Sequence, residues 1–171
     1  YRRPNMTKPI LAPAFCQVAW VVRDIEAAER FFVETMGVSR FLHMDNLAAK
    51  DTEGTYLGKP GNWVCNLHIA YAGDTQIELI QPVSGASMYQ ESLDRHGDAV
   101  QHVAYWLDDA DYDAAAAHLE SSGYHEIQSF RLPIVRVGYF DTRRAIGVVT
   151  EIVGATKEGH ELRRNLKAGN F

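Results

Sequence analysis

Gln17-Val18-Ala19-Trp20-Val21-Val22-Arg23-Asp24 returns, 85 residues on, as His102-Val103-Ala104-Tyr105-Trp106-Leu107-Asp108-Asp109. The offset is half the chain. Both stretches are apolar, strand-like segments that run into a helix opened by an acid, Asp24 or Asp109, and closed by a glycine, Gly37 or Gly123. Each half then ends in a strand with one acid in an apolar run, Ile77-Glu78-Leu79-Ile80 and Thr150-Glu151-Ile152-Val153. A repeat that keeps polar residues in register predicts a site on the pseudo-twofold axis between its halves.

Outward from these strings the order of elements is βαβββ, twice. In the first half the expected strands are 15–22, 40–47, 63–72 and 75–83, with a turn at Gly73-Asp74 joining the last two. The expected helix is 25–36, with Ile25, Ala28, Phe32 and Met36 on one stripe and Glu26, Glu29 and Arg30 largely opposite. Residues 48–61, rich in glycine, read as a long loop. The second half predicts a strand at 100–107, a helix at 110–122 and strands near 125–131, 134–142 and 147–154, with Pro133 as a break. The expected organisation is one domain, 15–155: module one at 15–83, a linker at 84–99 and module two at 100–155. The linker carries a short helix capped by Ser84 or Ser87 and ended by Gly97. Residues 1–14 and 156–171 read as tails, the second with a short helix around Glu161–Leu166.

Composition bounds the function. The chain has 171 residues, 46% of them apolar, and a formal charge of −5. That is enough for a core, and without a basic cluster it argues against nucleic-acid binding. No apolar run approaches the roughly 18 residues of a membrane span. Cys16 and Cys65 sit in separate strands without CxxC spacing and read as buried, reduced thiols in a cytoplasmic protein.

Gln17, Glu78, His102 and Glu151 stand out. Gln17 and His102 are repeat-equivalent, as are Glu78 and Glu151. Singly, each has an ordinary reading: a strand histidine is usually a hydrogen-bonded core residue, and a strand glutamate usually faces solvent. Together, in register, they are not explained by chance. Two carboxylates on a buried sheet face need a compensating charge, and neither strand carries a Lys or Arg. A divalent cation would offset both. His43, His68 and Arg136 are further candidates for the pocket lining by strand parity alone.

This pattern resembles the vicinal-oxygen-chelate superfamily, the glyoxalase I fold, over about residues 15–155. The resemblance implies an α+β fold in which two βαβββ modules form a U-shaped incomplete barrel, commonly in a homodimer. It implies a divalent metal (Zn, Co, Ni, Mn or Mg) on Gln17, Glu78, His102 and Glu151, with Glu151 as the first choice of base and Glu78 the second. The Gln-Glu-His-Glu set looks like that of zinc-type glyoxalase I. The strings Ile77-Glu78-Leu79-Ile80-Gln81-Pro82 and Gln101-His102-Val103-Ala104-Tyr105 look like the methylmalonyl-CoA epimerase branch, although that branch usually has His where this chain has Gln17. Glyoxalase I holds glutathione with an Arg and an Asn at the positions of Val21 and Pro82, which argues against glutathione as cosubstrate. The expected function is metal-dependent abstraction of a proton next to a carbonyl, on a small carbonyl or thioester substrate. Alternatives are a lactoylglutathione lyase and a non-catalytic binding protein of the bleomycin-resistance kind. An extradiol dioxygenase needs two His and one carboxylate, and only one of the four positions is His.

Overall fold

The computed structural model describes residues 11–171. Its elements are β1 (Phe15–Val21), α1 (Ile25–Arg30), β2 (Leu42–Ala48), β3 (Thr55–Tyr56), β4 (Lys59–Pro60), β5 (Val64–Ala72), β6 (Thr75–Ser84), α2 (Met88–His96), β7 (Ala99–Asp108), α3 (Asp109–Ser121), β8 (Glu126–Leu132), β9 (Val135–Phe140), α4 (Arg143–Ile146), β10 (Val149–Ala155) and α5 (Lys157–Lys167). All ten strands join one curled sheet in the order β2-β5-β6-β1-β7-β10-β9-β8-β3-β4.

The modules meet at β1 and β7, which pair antiparallel within one chain, Ala19 opposite His102. Each is flanked by the last strand of its own module, paired parallel: Glu78 on β6 lies beside Ala19, and Glu151 on β10 beside Ala104. Ala19 and Ala104 are repeat-equivalent and fully buried. The register thus gives the two acids the same place relative to the axis.

Each module buries its outer sheet face under its own helix. Ile25 of α1 packs with Ala70, Ile77 and Leu79, and Tyr112, Ala115 and Leu119 of α3 pack with Leu107 and Ile152. Burying a Leu or Ile side chain is worth roughly 1.5–3 kcal/mol, which fixes the helices to those faces. Asp24 caps α1 as expected, accepting from Ala27 N at 2.9 Å. The helix does not run straight to Met36. Phe31–Thr35 form a single π turn, closed by Met36 N donating to Phe31 O. The turn rotates the apolar stripe, and Met36 is left 61% exposed.

The cap of α3 is Asp108, one residue before the expected Asp109. Asp109 instead accepts from Arg136 Nε at 2.6 Å. In the linker helix Ser87, not Ser84, caps, accepting from Gln90 N at 3.1 Å. The expected loop at 48–61 holds a hairpin, and Thr55 and Tyr56 of β3 pair with Ser129 and Gln128 of β8 in the other module. Leu11 and Ala14 of the expected N-terminal tail pack against the α3 cluster, and residues 1–10 lie outside the described residues.

The C-terminal tail departs furthest from expectation. Eleven residues, Lys157–Lys167, form α5, capped by Thr156, which accepts from Gly159 N. The helix lies across the open side of the sheet. Arg163 Nε donates to Tyr71 on β5 at 3.1 Å, His160 Nε2 is 2.8 Å from Asp108 at the end of β7, and Lys167 Nζ is 2.5 Å from Asp74 in the β5–β6 turn. It seats closely because residue 159 is glycine: a Cβ there would stand 2.6 Å from Ile134 O.

Candidate metal centre

Alternation along the strands sends Gln17, Glu78, His102 and Glu151 to the concave face, and their side-chain tips meet. Gln17 Nε2 is 3.0 Å from Glu78 Oε2, 3.1 Å from Glu151 Oε2 and 3.2 Å from His102 Nε2. His102 Nε2 is 3.1 Å from both carboxylate oxygens. All four residues are at least 95% buried. Five of the six distances among the four donor atoms are thus 3.0–3.2 Å, and the ligand atoms of Glu78, His102 and Glu151 all lie within 4.8 Å of one another, spacings that donors sharing one ion at roughly 2.0–2.2 Å can take. The donor set therefore fits a divalent ion in chemistry and in size. Gln17 meets the cluster through its amide nitrogen here, and a half-turn of the amide presents Oε1 from the same place.

The ring of His102 is held in place by its neighbour. Gln101 Oε1 lies 2.8 Å from His102 Nδ1. A carbonyl oxygen only accepts, so Nδ1 carries a proton and Nε2 is left to face the two acids. Without a metal, Nε2 must be protonated to bond them. Burial alone would lower the pKa of His102, but Glu151 and Glu78 outweigh it and hold it up to about 9. Burial raises Glu78, partly offset by its hydrogen bond from His102. A divalent ion bound there would compete with that proton for one lone pair.

Around the cluster lies a cavity of about 100 Å³. Its walls are apolar, from Leu42, Met44, Leu67, Ile69, Phe130 and Val137, and Leu162 and Leu166 of α5 cover it. Polar groups on the wall are few. The Trp106 indole N–H is buried without a partner, and Arg163 of α5 sits over the Trp106 ring. Behind His102, Tyr139 packs edge-on at 5.2 Å and accepts from the Tyr89 hydroxyl at 2.8 Å. Burial keeps both phenols neutral far above the usual range. A chain of hydrogen bonds joins α5 to the cluster: Arg163 Nε to Tyr71, the Tyr71 hydroxyl to Gln76 Oε1, and Gln76 Nε2 to Gln17 Oε1.

The other pocket candidates are elsewhere. His43 and His68 face the opposite side of the sheet, with Glu29 of α1, because β2 and β5 send Leu42, Met44, Leu67 and Ile69 to the cavity and the alternate residues outward. Arg136 also lies outside the cavity, bonded to Asp109 and Asp113 on α3. Cys16 and Cys65 are buried, unpaired thiols pushed up to about 12 by burial. Gln76, Gln101, Trp106 and Arg163 were not singled out from the sequence. Gln101 and Gln76 stand one and two residues from His102 and Glu78, which was the available signal; Arg163 had none, being part of a polar tail.

The chain belongs to the glyoxalase/bleomycin resistance protein/dioxygenase superfamily, whose family model matches residues 16–134. Among solved structures it is similar to the methylmalonyl-CoA epimerase of Mycobacterium tuberculosis, at 19% identity and a TM-score of 0.62, covering 90% of this chain and 94% of that one. A hypothetical protein of Bacillus halodurans is similar at 17% identity and a TM-score of 0.62, covering 82% and 92%. A Streptomyces coelicolor methylmalonyl-CoA epimerase bound to 2-nitronate-propionyl-CoA is similar at 20% identity and a TM-score of 0.58, covering 82% and 93%. At these identities the likeness is one of fold. No curated protein sequence matches. Among the described residues no helix is long and apolar enough to cross a membrane.

Proposed function

We propose that the protein is a metal-dependent enzyme that removes and returns a proton next to a carbonyl, in the manner of an epimerase or isomerase. The observation that carries this reading is the convergence of Gln17, Glu78, His102 and Glu151 to within 3.0–3.2 Å at the floor of a small apolar cavity. When bound there, a divalent ion would polarise the substrate carbonyl and stabilise the negative charge that develops on its oxygen. Glu151 takes the proton from the adjacent carbon. Glu78, its counterpart across the axis, serves the other face of the planar intermediate. A desolvated carboxylate with a raised pKa, as burial gives Glu78, holds a proton nearer neutral pH and can return it. The apolar walls exclude water, which would otherwise quench the exchange.

The cavity also bears on the substrate. Its volume of about 100 Å³ takes an acyl group of a few carbons, well under the ~300–1,000 Å³ of ordinary ligand pockets. Arg163 and the free Trp106 N–H are the donors on its wall, suited to an anionic or carbonyl oxygen at the end remote from the metal. A short acyl chain bearing a carboxylate, such as the methylmalonyl thioester of the similar epimerases, meets both requirements; a thioester's carrier would extend outside. Val21, where glyoxalase I has its glutathione-binding Arg, is fully buried in the apolar core, which supports the epimerase reading over a glutathione lyase. We further infer a homodimer, as is common on this fold, and a cytoplasmic setting, which two buried free thiols favour.

The test is solvent-deuterium exchange into methylmalonyl-CoA by zinc- or cobalt-loaded protein. Metal-dependent exchange supports the reading. Tight metal binding with no exchange into this or other short carbonyl compounds would favour the binding protein, and turnover of the glutathione hemithioacetal of methylglyoxal the lyase.

A further inference from the structure

On the other face of the sheet, under α1, the chain assembles a second group of metal-type donors. β2 and β5 pair His43 directly with His68, and their rings stack with centroids 3.8 Å apart. Glu29 comes down from α1 between them. Its Oε2 is 2.8 Å from His43 Nε2 and 2.5 Å from His68 Nδ1. His68 is 1% exposed, and its other nitrogen lies 3.4 Å from Asp45 Oδ1. His43 is the open side of the group, with 43% of its side chain exposed.

The donor types are those of a metal-bound pair of imidazoles, but no point lies in the planes of two stacked rings, so an ion would bind with His43, the exposed ring, swung out of the stack. A ligating histidine gives one nitrogen to the ion and turns the other N–H toward a carboxylate, which fixes ring and tautomer. His68 is disposed this way: Nδ1 faces the shared point, and Nε2 has Asp45 Oδ1 3.4 Å away, which a small shift would bring to hydrogen-bond distance. Two imidazole nitrogens and one carboxylate leave a fourth position open toward solvent beside His43. That set suits a borderline ion such as Zn²⁺, Co²⁺ or Ni²⁺ and not Mg²⁺ or Ca²⁺, which prefer oxygen alone. The group shares no residue with the concave site.

We propose that Glu29, His43 and His68 form a second divalent-metal site, with Asp45 positioning His68. The ion would tie α1 to β2, the edge strand of the sheet, and so fasten the outer layer of the first module. The proposal stands whether or not the concave site binds a metal.

The experiment is a titration of metal-stripped protein with Co²⁺, followed by calorimetry and by the visible absorption of the bound ion. Wild-type protein is compared with Glu78→Gln/Glu151→Gln, which disables the concave site, and with His43→Ala and Glu29→Gln. His43→Ala removes a half-exposed ring and Glu29→Gln keeps side-chain shape, so circular dichroism should show both folded. The double variant should still bind one equivalent. His43→Ala and Glu29→Gln should each lose one equivalent from the wild-type count, or weaken it at least tenfold. Unchanged stoichiometry in both variants would overturn the site and leave Glu29 as a hydrogen-bond partner of the two rings. If the double variant does not fold, the difference between wild type and His43→Ala decides alone.

Discussion

Glu78 and Glu151 stand on either side of His102 Nε2, each with an oxygen 3.1 Å away, though they belong to opposite halves of the repeat. The symmetry is one of position, not of environment. Gln76 on β6 reaches Gln17, and its counterpart beside Glu151 on β10 is Val149, which has no polar group to offer. Paired acids in unlike surroundings can divide the tasks of giving and taking a proton.

Glu151→Gln tests that division. The amide keeps the shape of the side chain but cannot act as a base. Exchange of substrate deuterium should fall roughly 10²–10⁴-fold while the protein stays folded. Full exchange in this variant would move the base to Glu78.

Gln101→Leu removes the acceptor that holds the Nδ1 proton of His102. Zinc affinity, measured by calorimetry, should drop about 10–100-fold, as for loss of other outer partners of metal-bound histidines. An unchanged affinity would show that the strand alone orients the ring.

Metal-stripped protein should lose stability as pH rises. The folded His102 has a pKa near 9, above its ordinary 6.5, so its contribution is full below 6.5 and gone above 9. Glu78 is also raised, from 4.5, so its contribution is likewise lost as pH rises through its folded value. Thermal melts between pH 6 and 9.5 should show a fall in Tm on the order of 5–10 °C. Zinc should remove the fall, because it takes the place of the Nε2 proton. A flat profile without metal would mean that His102 is neutral in the folded protein.

Arg163→Leu should raise KM for a carboxylate-bearing substrate about 10–100-fold, the worth of a charge-assisted hydrogen bond, with a smaller effect on kcat. Arg163→Lys should recover part of the loss. Gly159→Val addresses the helix as a whole, since its side chain would collide with Ile134 O and unseat α5. That variant should retain metal binding, and its cavity should admit a solvent-exposed fluorescent probe that wild type excludes.

The convergence of the four candidate residues was legible in the sequence for a local reason. Strand alternation acts over short windows and the 85-residue offset matches one such window with another, and together they were enough to group Gln17, Glu78, His102 and Glu151. Alternation says that two residues share a face but not which face meets the core, so His43, His68 and Arg136 were open to the wrong side. The in-chain pairing of β1 with β7 and the docking of β3 on β8 depend on long-range register, which no window contains. The cover was hidden because α5 reads as a charged tail. The side chains it places over the cavity are few, Leu162, Arg163 and Leu166, spaced on one face of a polar helix.

The bonds from Arg163 through Tyr71 and Gln76 to Gln17 all run one way, each donor pointing toward the cluster. An ion at the centre requires Gln17 to offer oxygen, which turns its NH₂ toward Gln76. Gln76 must then turn as well, and Tyr71 receives a second donor while its own proton loses its acceptor. The chain would then have two settings, and in the one with the ion Tyr71 would hold Arg163 without the acceptor for its own proton that it has here. Linkage is reciprocal, so if zinc binds there it would loosen α5, and an unseated α5 would favour loading. Hydrogen exchange of the amides at 157–167 should therefore quicken when zinc is added to stripped protein, even as the rest of the sheet slows.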